Sequence, residues 1–140
     1  MQDAVRALRA PGGVVLYPTE TLYGIGGRAS DPESARRIAA MKGRGLQPLV
    51  VLIDKIPNDL GGLALELAEE FWPGPLTLIV PAPTWVCPEV RGPDGSVGLR
   101  WSGHPVVGQL IAAVGPITST SANVHGQAPP RSAAQVRLAV

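Results

Sequence analysis

The sequence predicts an α/β domain: a single twisted mixed sheet flanked by helices. Three observations carry that prediction. Short apolar runs of strand length alternate with segments of helical period. Nearly every change from one to the other falls at Gly or Pro. A chain of 140 residues that is 45% hydrophobic has enough apolar side chain for one core. Other classes are excluded by the same composition. Seventeen Gly and 15 Pro would suit disorder, but only 16% of residues are charged, and a chain this apolar collapses in water. The glycines lack the period of three of a collagen, and no apolar run approaches the roughly 18 residues of a membrane span.

Val5 and Leu8 mark a short opening helix, stopped by Pro11-Gly12-Gly13. Residues 13–17 (GVVLY) follow as a buried strand ended by Pro18. Asp31-Pro32-Glu33 has the composition of a helix start: an acidic N-cap, proline at the first helical position and an acid in the first turn. That helix should run to about Lys42 and bury Ala35, Ile38 and Ala39. Residues 49–53 (LVVLI) read as a second buried strand, and 63–71 as a helix with Glu66, Glu69 and Glu70 facing water. Two more strands are expected at 76–80 and 97–101, separated by a proline-rich stretch, 81–95, that reads as an exposed loop. Val106, Val107, Leu110, Ile111 and Val114 share one helical face closed by Gly115-Pro116. Residues 117–120 form a short last strand, and 133–140 begin a last helix. No internal repeat or linker interrupts this order.

The formal net charge of +1 gives no global pull toward nucleic acid or anionic lipid. It hides an asymmetry, because Arg36, Arg37, Lys42 and Arg44 fall in a stretch (36–53) with no acid. A solvated helix face or an anion site would both account for it. Cys87 is the single cysteine, so no internal disulfide forms, and no zinc-ligand spacing exists. The first residues lack the apolar stretch of a signal peptide, so a cytoplasmic protein is expected.

Four patches carry polar chemistry at element ends. Residues 17–26 (YPTETLYGIG) set hydroxyls in a proline-stiffened turn directly after a buried strand, where α/β proteins place ligands. Within it, GIGGRA could be taken for a dinucleotide G-x-G-x-x-A, but the glycines do not follow the strand directly and no ribose-binding acid stands at the expected distance. Lys42-Gly43-Arg44 offers two cations that could neutralise phosphate oxygens or simply cap a helix C-terminus. Residues 71–77 (FWPGPLT) read as a rigid corner packed by aromatics. Thr118-Ser119-Thr120-Ser121-Ala122-Asn123 gathers hydroxyls and an amide able to bind phosphate or carboxylate without adding charge, or to make an ordinary loop. No Walker A, G-x-S-x-G, H-E-x-x-H or kinase pattern is present. His104 before Pro105 and His125 in a Gly-Pro loop read as structural or solvated, which leaves positioning and charge stabilisation as the available chemistry.

Taken together and in order, YPTETLYGIG, KGR with PLVVL, FWPGPLTLIV, SVGLRW with HP, and TSTSANVHGQAPP resemble the YrdC/Sua5 family, the threonylcarbamoyl-AMP synthases. The resemblance spans roughly residues 11–136. It implies a twisted YrdC/RibB-like α/β sheet around a positively charged cavity. The implied reaction joins L-threonine, bicarbonate and ATP into threonylcarbamoyl-adenylate and pyrophosphate, for formation of N6-threonylcarbamoyladenosine (t6A) in tRNA. By resemblance, Lys42, Arg44, Ser121 and Asn123 are the catalytic set and hold the ATP phosphates, with Ser96 near the nucleotide. Thr19, Tyr23, Arg100 and Ser119 are the corresponding threonine set. Mg2+ is expected to arrive with ATP, with no protein metal site. Expected partners are the three substrates, tRNA or double-stranded RNA, and t6A-machinery proteins; none is a membrane.

The chain departs from the family pattern in two places. After K-x-R it continues Gly45-Leu46-Gln47-Pro48, one residue shorter than usual and with Gln47 in the polar place. Residues 1–140 are read as a YrdC-like domain lacking the family's usual C-terminal segment. Two other functions stay open: a non-catalytic RNA-binding module of the same fold, and a divergent paralogue adenylating another small amine or acid.

Overall fold

The computed structural model describes residues 1–20 and 22–122. The helix expected at 133–140, and the candidate residues Asn123 and His125, lie outside the described residues. Within them, six strands form one open sheet: β1 (Val15–Pro18), β2 (Tyr23–Gly26), β3 (Val50–Ile53), β4 (Leu78–Pro81), β5 (Ser96–Trp101) and β6 (Ile117–Ser121). Their spatial order is β1-β2-β6-β3-β5-β4. The sheet is mixed, as expected: β3 and β5 run parallel and every other neighbouring pair is antiparallel. Four helices join them, α1 (Gln2–Arg9), α2 (Pro32–Met41), α3 (Gly62–Phe71) and α4 (Pro105–Val114).

The helix ends follow from local chemistry. The Asp31 carboxylate caps α2 by accepting from the Glu33 N–H at 3.0 Å, and its other oxygen accepts from the Gly12 N–H at 2.8 Å. His104 caps α4, its Nδ1 accepting from the Val106 N–H at 3.1 Å, so this histidine is a helix cap as its sequence context implied. Gly115 ends α4 with φ 87°, a conformation that favours glycine.

Strand alternation divides the apolar residues into two cores. Val51 and Ile53 point to one face with Ile25, Val97 and Leu99, covered by Ala35 and Ile38 of α2 and Ala68 of α3. Leu52, between them, points to the other with Val15, Tyr17 and Ile117, under Leu8 of α1 and Val107, Leu110 and Ile111 of α4.

Three expectations change. Residues 23–26, read as part of a polar turn, are strand β2, paired antiparallel with both β1 and β6. Two glycines hide this strand in the sequence, yet Gly26 is required and Gly24 is tightly packed. A Cβ on Gly26 would lie 1.8 Å from the Thr118 carbonyl oxygen, and one on Gly24 would lie 3.0 Å from the Tyr17 ring. The strand assignment also removes the dinucleotide loop, since Gly24 and Gly26 lie in a sheet. Second, the 81–95 stretch is no simple exposed loop. It carries a short 3-10 turn, Pro88–Val90, and sends Val86, Cys87 and Val90 into the larger core. Third, the corner at 71–77 is packed by one aromatic residue. Trp72 is buried and its Nε1–H donates to the Leu76 carbonyl at 2.7 Å, while Phe71 is half exposed.

Candidate functional site

Strand register determines which polar side chains share a face. Ser119 pairs with Val50, Leu52 with Arg100, and Gly24 with Ser121, so these residues lie side by side on the sheet face whose other part is covered by α1 and α4. Where that cover ends, a cavity of about 380 Å³ opens. Thr19, Arg44, Arg100, Ser119 and Ser121 all line it, five of the nine residues singled out from the sequence. Leu22, Gly24, Pro48 and Thr77 complete much of its wall.

Lys42 stands at the C-terminal end of α2, almost fully buried. Its ammonium donates to the Ser121 carbonyl at 2.6 Å and reaches the Ser121 hydroxyl at 3.4 Å. Burial, reinforced by the Arg44 charge, holds the Lys42 amine below the usual lysine range. Among the described residues Arg44 forms no salt bridge, and its buried Nε has no hydrogen-bond partner. One end of the cavity therefore has Arg44 and a hydroxyl strand in its wall; Lys42 is not in that wall but bonds to Ser121, which is, and the two cations together suit an anion of more than one charge.

The other end is built differently. The Thr19 hydroxyl bonds within its own turn to the Leu22 carbonyl and N–H. Next to it, Glu20 accepts from Arg100 Nη2 at 3.0 Å, from the Ser102 hydroxyl at 2.8 Å and from the Gly103 N–H at 2.8 Å. Burial alone would raise the Glu20 carboxyl, but these hydrogen bonds and the Arg100 charge outweigh it and hold it below the ordinary value. Glu20 was not among the candidates from the sequence. An acid in a turn is unexceptional, and its partners are 80 to 83 residues away.

Two candidates stand apart from this cavity. Ser96 lines a second hollow, about 630 Å³, with Asp94, Gly98 and Pro48, and its hydroxyl donates to Asp94 at 2.6 Å. Pro48 is common to both hollows. Tyr23 is partly buried and packs against the larger core rather than lining either space. The basic stretch also divides. Arg36 pairs with Glu33 at 2.7 Å and Glu89 at 2.8 Å, and Arg37 donates to the Gly12 carbonyl, leaving Arg44 in the cavity wall and Lys42 bonded to Ser121 of that wall. Among the described residues no three His, Cys, Asp or Glu side chains come together as a metal site, and no helix is long and apolar enough to cross a membrane.

A family model described as "Telomere recombination", covering Sua5, YciO and YrdC, matches residues 7–140. A threonylcarbamoyl-AMP synthase from Chromohalobacter salexigens is 43% identical over 145 residues, covering 98% of this chain and 78% of the relative. The crystal structure of P. abyssi Sua5 complexed with L-threonine superimposes with a TM-score of 0.89 at 34% identity. The match covers 99% of this chain and 43% of that one, so the chain spans less than half the length of that protein. The structure of E. coli YciO shares the fold, with a TM-score of 0.77 at 23% identity.

Proposed function

Because the chain belongs to the Sua5/YciO/YrdC family, we propose that it is a threonylcarbamoyl-AMP synthase, making threonylcarbamoyl-adenylate for t6A formation in tRNA. The observation that carries this reading is the convergence of Arg44, Arg100, Ser119 and Ser121 on one cavity of small-molecule size. A single space with two cationic walls suits a reaction between an amino acid and a nucleoside triphosphate.

In this reading the threonine amine attacks bicarbonate, losing water to give a carbamate. A carbamate oxygen then attacks the α-phosphorus of ATP, and pyrophosphate leaves. Both partners are anionic near a polyphosphate, so repulsion is the main obstacle. Lys42 and Arg44 would offset it and stabilise the charge on the leaving pyrophosphate. Ser121, with Asn123, would orient the phosphates without adding charge. Thr19, Ser119 and Arg100 would hold threonine, Arg100 through the carboxylate. The hollow containing Ser96, which meets the first at Pro48, is the natural place for the nucleoside. A magnesium ion would travel on the phosphate oxygens. Cytoplasmic action, tRNA and the proteins of t6A synthesis belong to the same reading.

Pyrophosphate release dependent on L-threonine and bicarbonate tests it. No release above an ATP-only control would sink it. Activity with another amino acid in place of threonine would favour the divergent adenylating paralogue. The RNA-module reading has less support, because Arg36 and Arg37 are engaged by protein groups rather than presented as a basic strip.

A further inference from the structure

The cavity's two cationic ends differ in charge compensation. At one, Lys42 and Arg44 are close enough for the Arg44 charge to lower the Lys42 pKa, and among the described residues no carboxylate pairs with Arg44. At the other, Arg100 is paired with Glu20. This is the one salt bridge among the described residues that includes a cavity-lining residue. Glu20 is itself fixed by Ser102 and Gly103, immediately beyond β5, so it does not depend on Arg100 for its place. Arg100 uses Nη2 toward Glu20, and its buried Nε remains without a hydrogen-bond partner.

We propose that Glu20 is a positioning and selectivity residue: it anchors the Arg100 guanidinium and cancels part of its charge, so that this end accepts a monoanionic carboxylate and refuses a polyphosphate. The proposal rests on the functional reading above and deepens it. An unpaired arginine would attract phosphate as strongly as Lys42 and Arg44 do, and the triphosphate could seat backwards, occupying the amino acid's place. A neutralised guanidinium retains directional N–H donors, which a single carboxylate satisfies, but lacks the net charge that draws a multiply charged anion. The anchor also restricts a long side chain that would otherwise lose rotamer freedom on binding.

Glu20→Gln tests this. The amide keeps the shape and one acceptor oxygen for Ser102 or Gly103, but removes the charge facing Arg100. Steady-state pyrophosphate release would be measured for both proteins, with inorganic tripolyphosphate as inhibitor. In the natural protein tripolyphosphate should compete with ATP alone. In the variant it should compete with threonine as well, with the KM for threonine up about tenfold and the KM for ATP within about twofold. A folded variant in which tripolyphosphate still competes with ATP alone overturns the proposal. So does a parallel rise of both KM values, the signature of a general structural role. Ser102→Ala, which loosens Glu20 while leaving both charges in place, should raise the threonine KM by a smaller factor without changing the inhibition pattern. A natural protein with no threonine-dependent release defeats the functional reading and this inference with it. An active natural protein with an unaltered variant defeats only the role of Glu20.

Discussion

The Lys42 ammonium donates to the Ser121 carbonyl at 2.6 Å, tying the end of α2 to the end of β6 across 79 residues of chain. A cation assigned to phosphate binding is thus also a structural tie. Lys42→Met keeps most of the packed stem but removes both roles. Pyrophosphate release should fall at least about 100-fold, and urea unfolding should show a loss of about 1–2 kcal/mol, because a donor to a half-buried carbonyl is gone. Arg44→Ala should reduce turnover as much with Tm nearly unchanged, since Arg44 makes no salt bridge among the described residues. Full activity in either variant would place the phosphate role elsewhere.

The depressed Lys42 pKa gives a pH dependence with a definite sign. Below the folded pKa the buried ammonium carries its full desolvation penalty. As pH rises through the window between the folded value and the ordinary 10.5, the unfolded chain holds more protons than the folded one, so this contribution to stability increases. On the proposed phosphate role of Lys42, ATP affinity should weaken across the same window. Calorimetric titration of ATP against pH should therefore show affinity falling before pH 10.5 in the natural protein. In Lys42→Arg, whose charge persists beyond pH ~12, that decline should be absent.

Glu20 acts in the opposite direction and in acid. Its folded pKa is held below 4.5, so its stabilising contribution is complete above that value and is lost as pH falls through the folded pKa. The Tm difference between the natural protein and Glu20→Gln should be constant near neutrality and close as the pH drops below 4.5. A difference that persists unchanged to pH 3 would mean the carboxylate is not stabilised by Arg100, Ser102 and Gly103.

Gly26 is a backbone requirement rather than a flexible point. With a Cβ 1.8 Å from the Thr118 oxygen, Gly26→Ala must separate β2 from β6. It should lose about 3 kcal/mol or more in urea unfolding. Unchanged stability would contradict the β2–β6 pairing.

Neighbouring aromatics should respond very differently. Trp72→Ala empties a buried site and orphans the Leu76 carbonyl, at a cost of about 3–5 kcal/mol. Phe71→Ala, at a half-exposed position, should cost no more than about 1 kcal/mol. Equal effects on the denaturation midpoint would show the corner packed on both rings.

Features that depend on neighbours along the chain are readable from the residues alone. Asp31-Pro32 starts α2 and Gly115 ends α4 because capping joins groups a few residues apart. The strand at 50–53 is legible because its apolar run can be read without partners, and that at 96–101 because Val97, Leu99 and Trp101 alternate with Gly98 and Arg100. The family was legible for a related reason: its motifs are short local strings in a fixed order. Features that depend on remote pairing emerge only in the folded chain. Strand β2 is poor in strand-forming residues and exists because β1 and β6 accept two glycines at close approach. The basic stretch from Arg36 to Arg44 is a single cluster in sequence yet divided in space, its first two members engaged by Glu33, Glu89 and Gly12. Lys42 with Ser121, and Arg100 with Glu20, meet across some 80 residues. No local pattern encodes such pairs, because the sheet register that aligns them is a property of the whole fold.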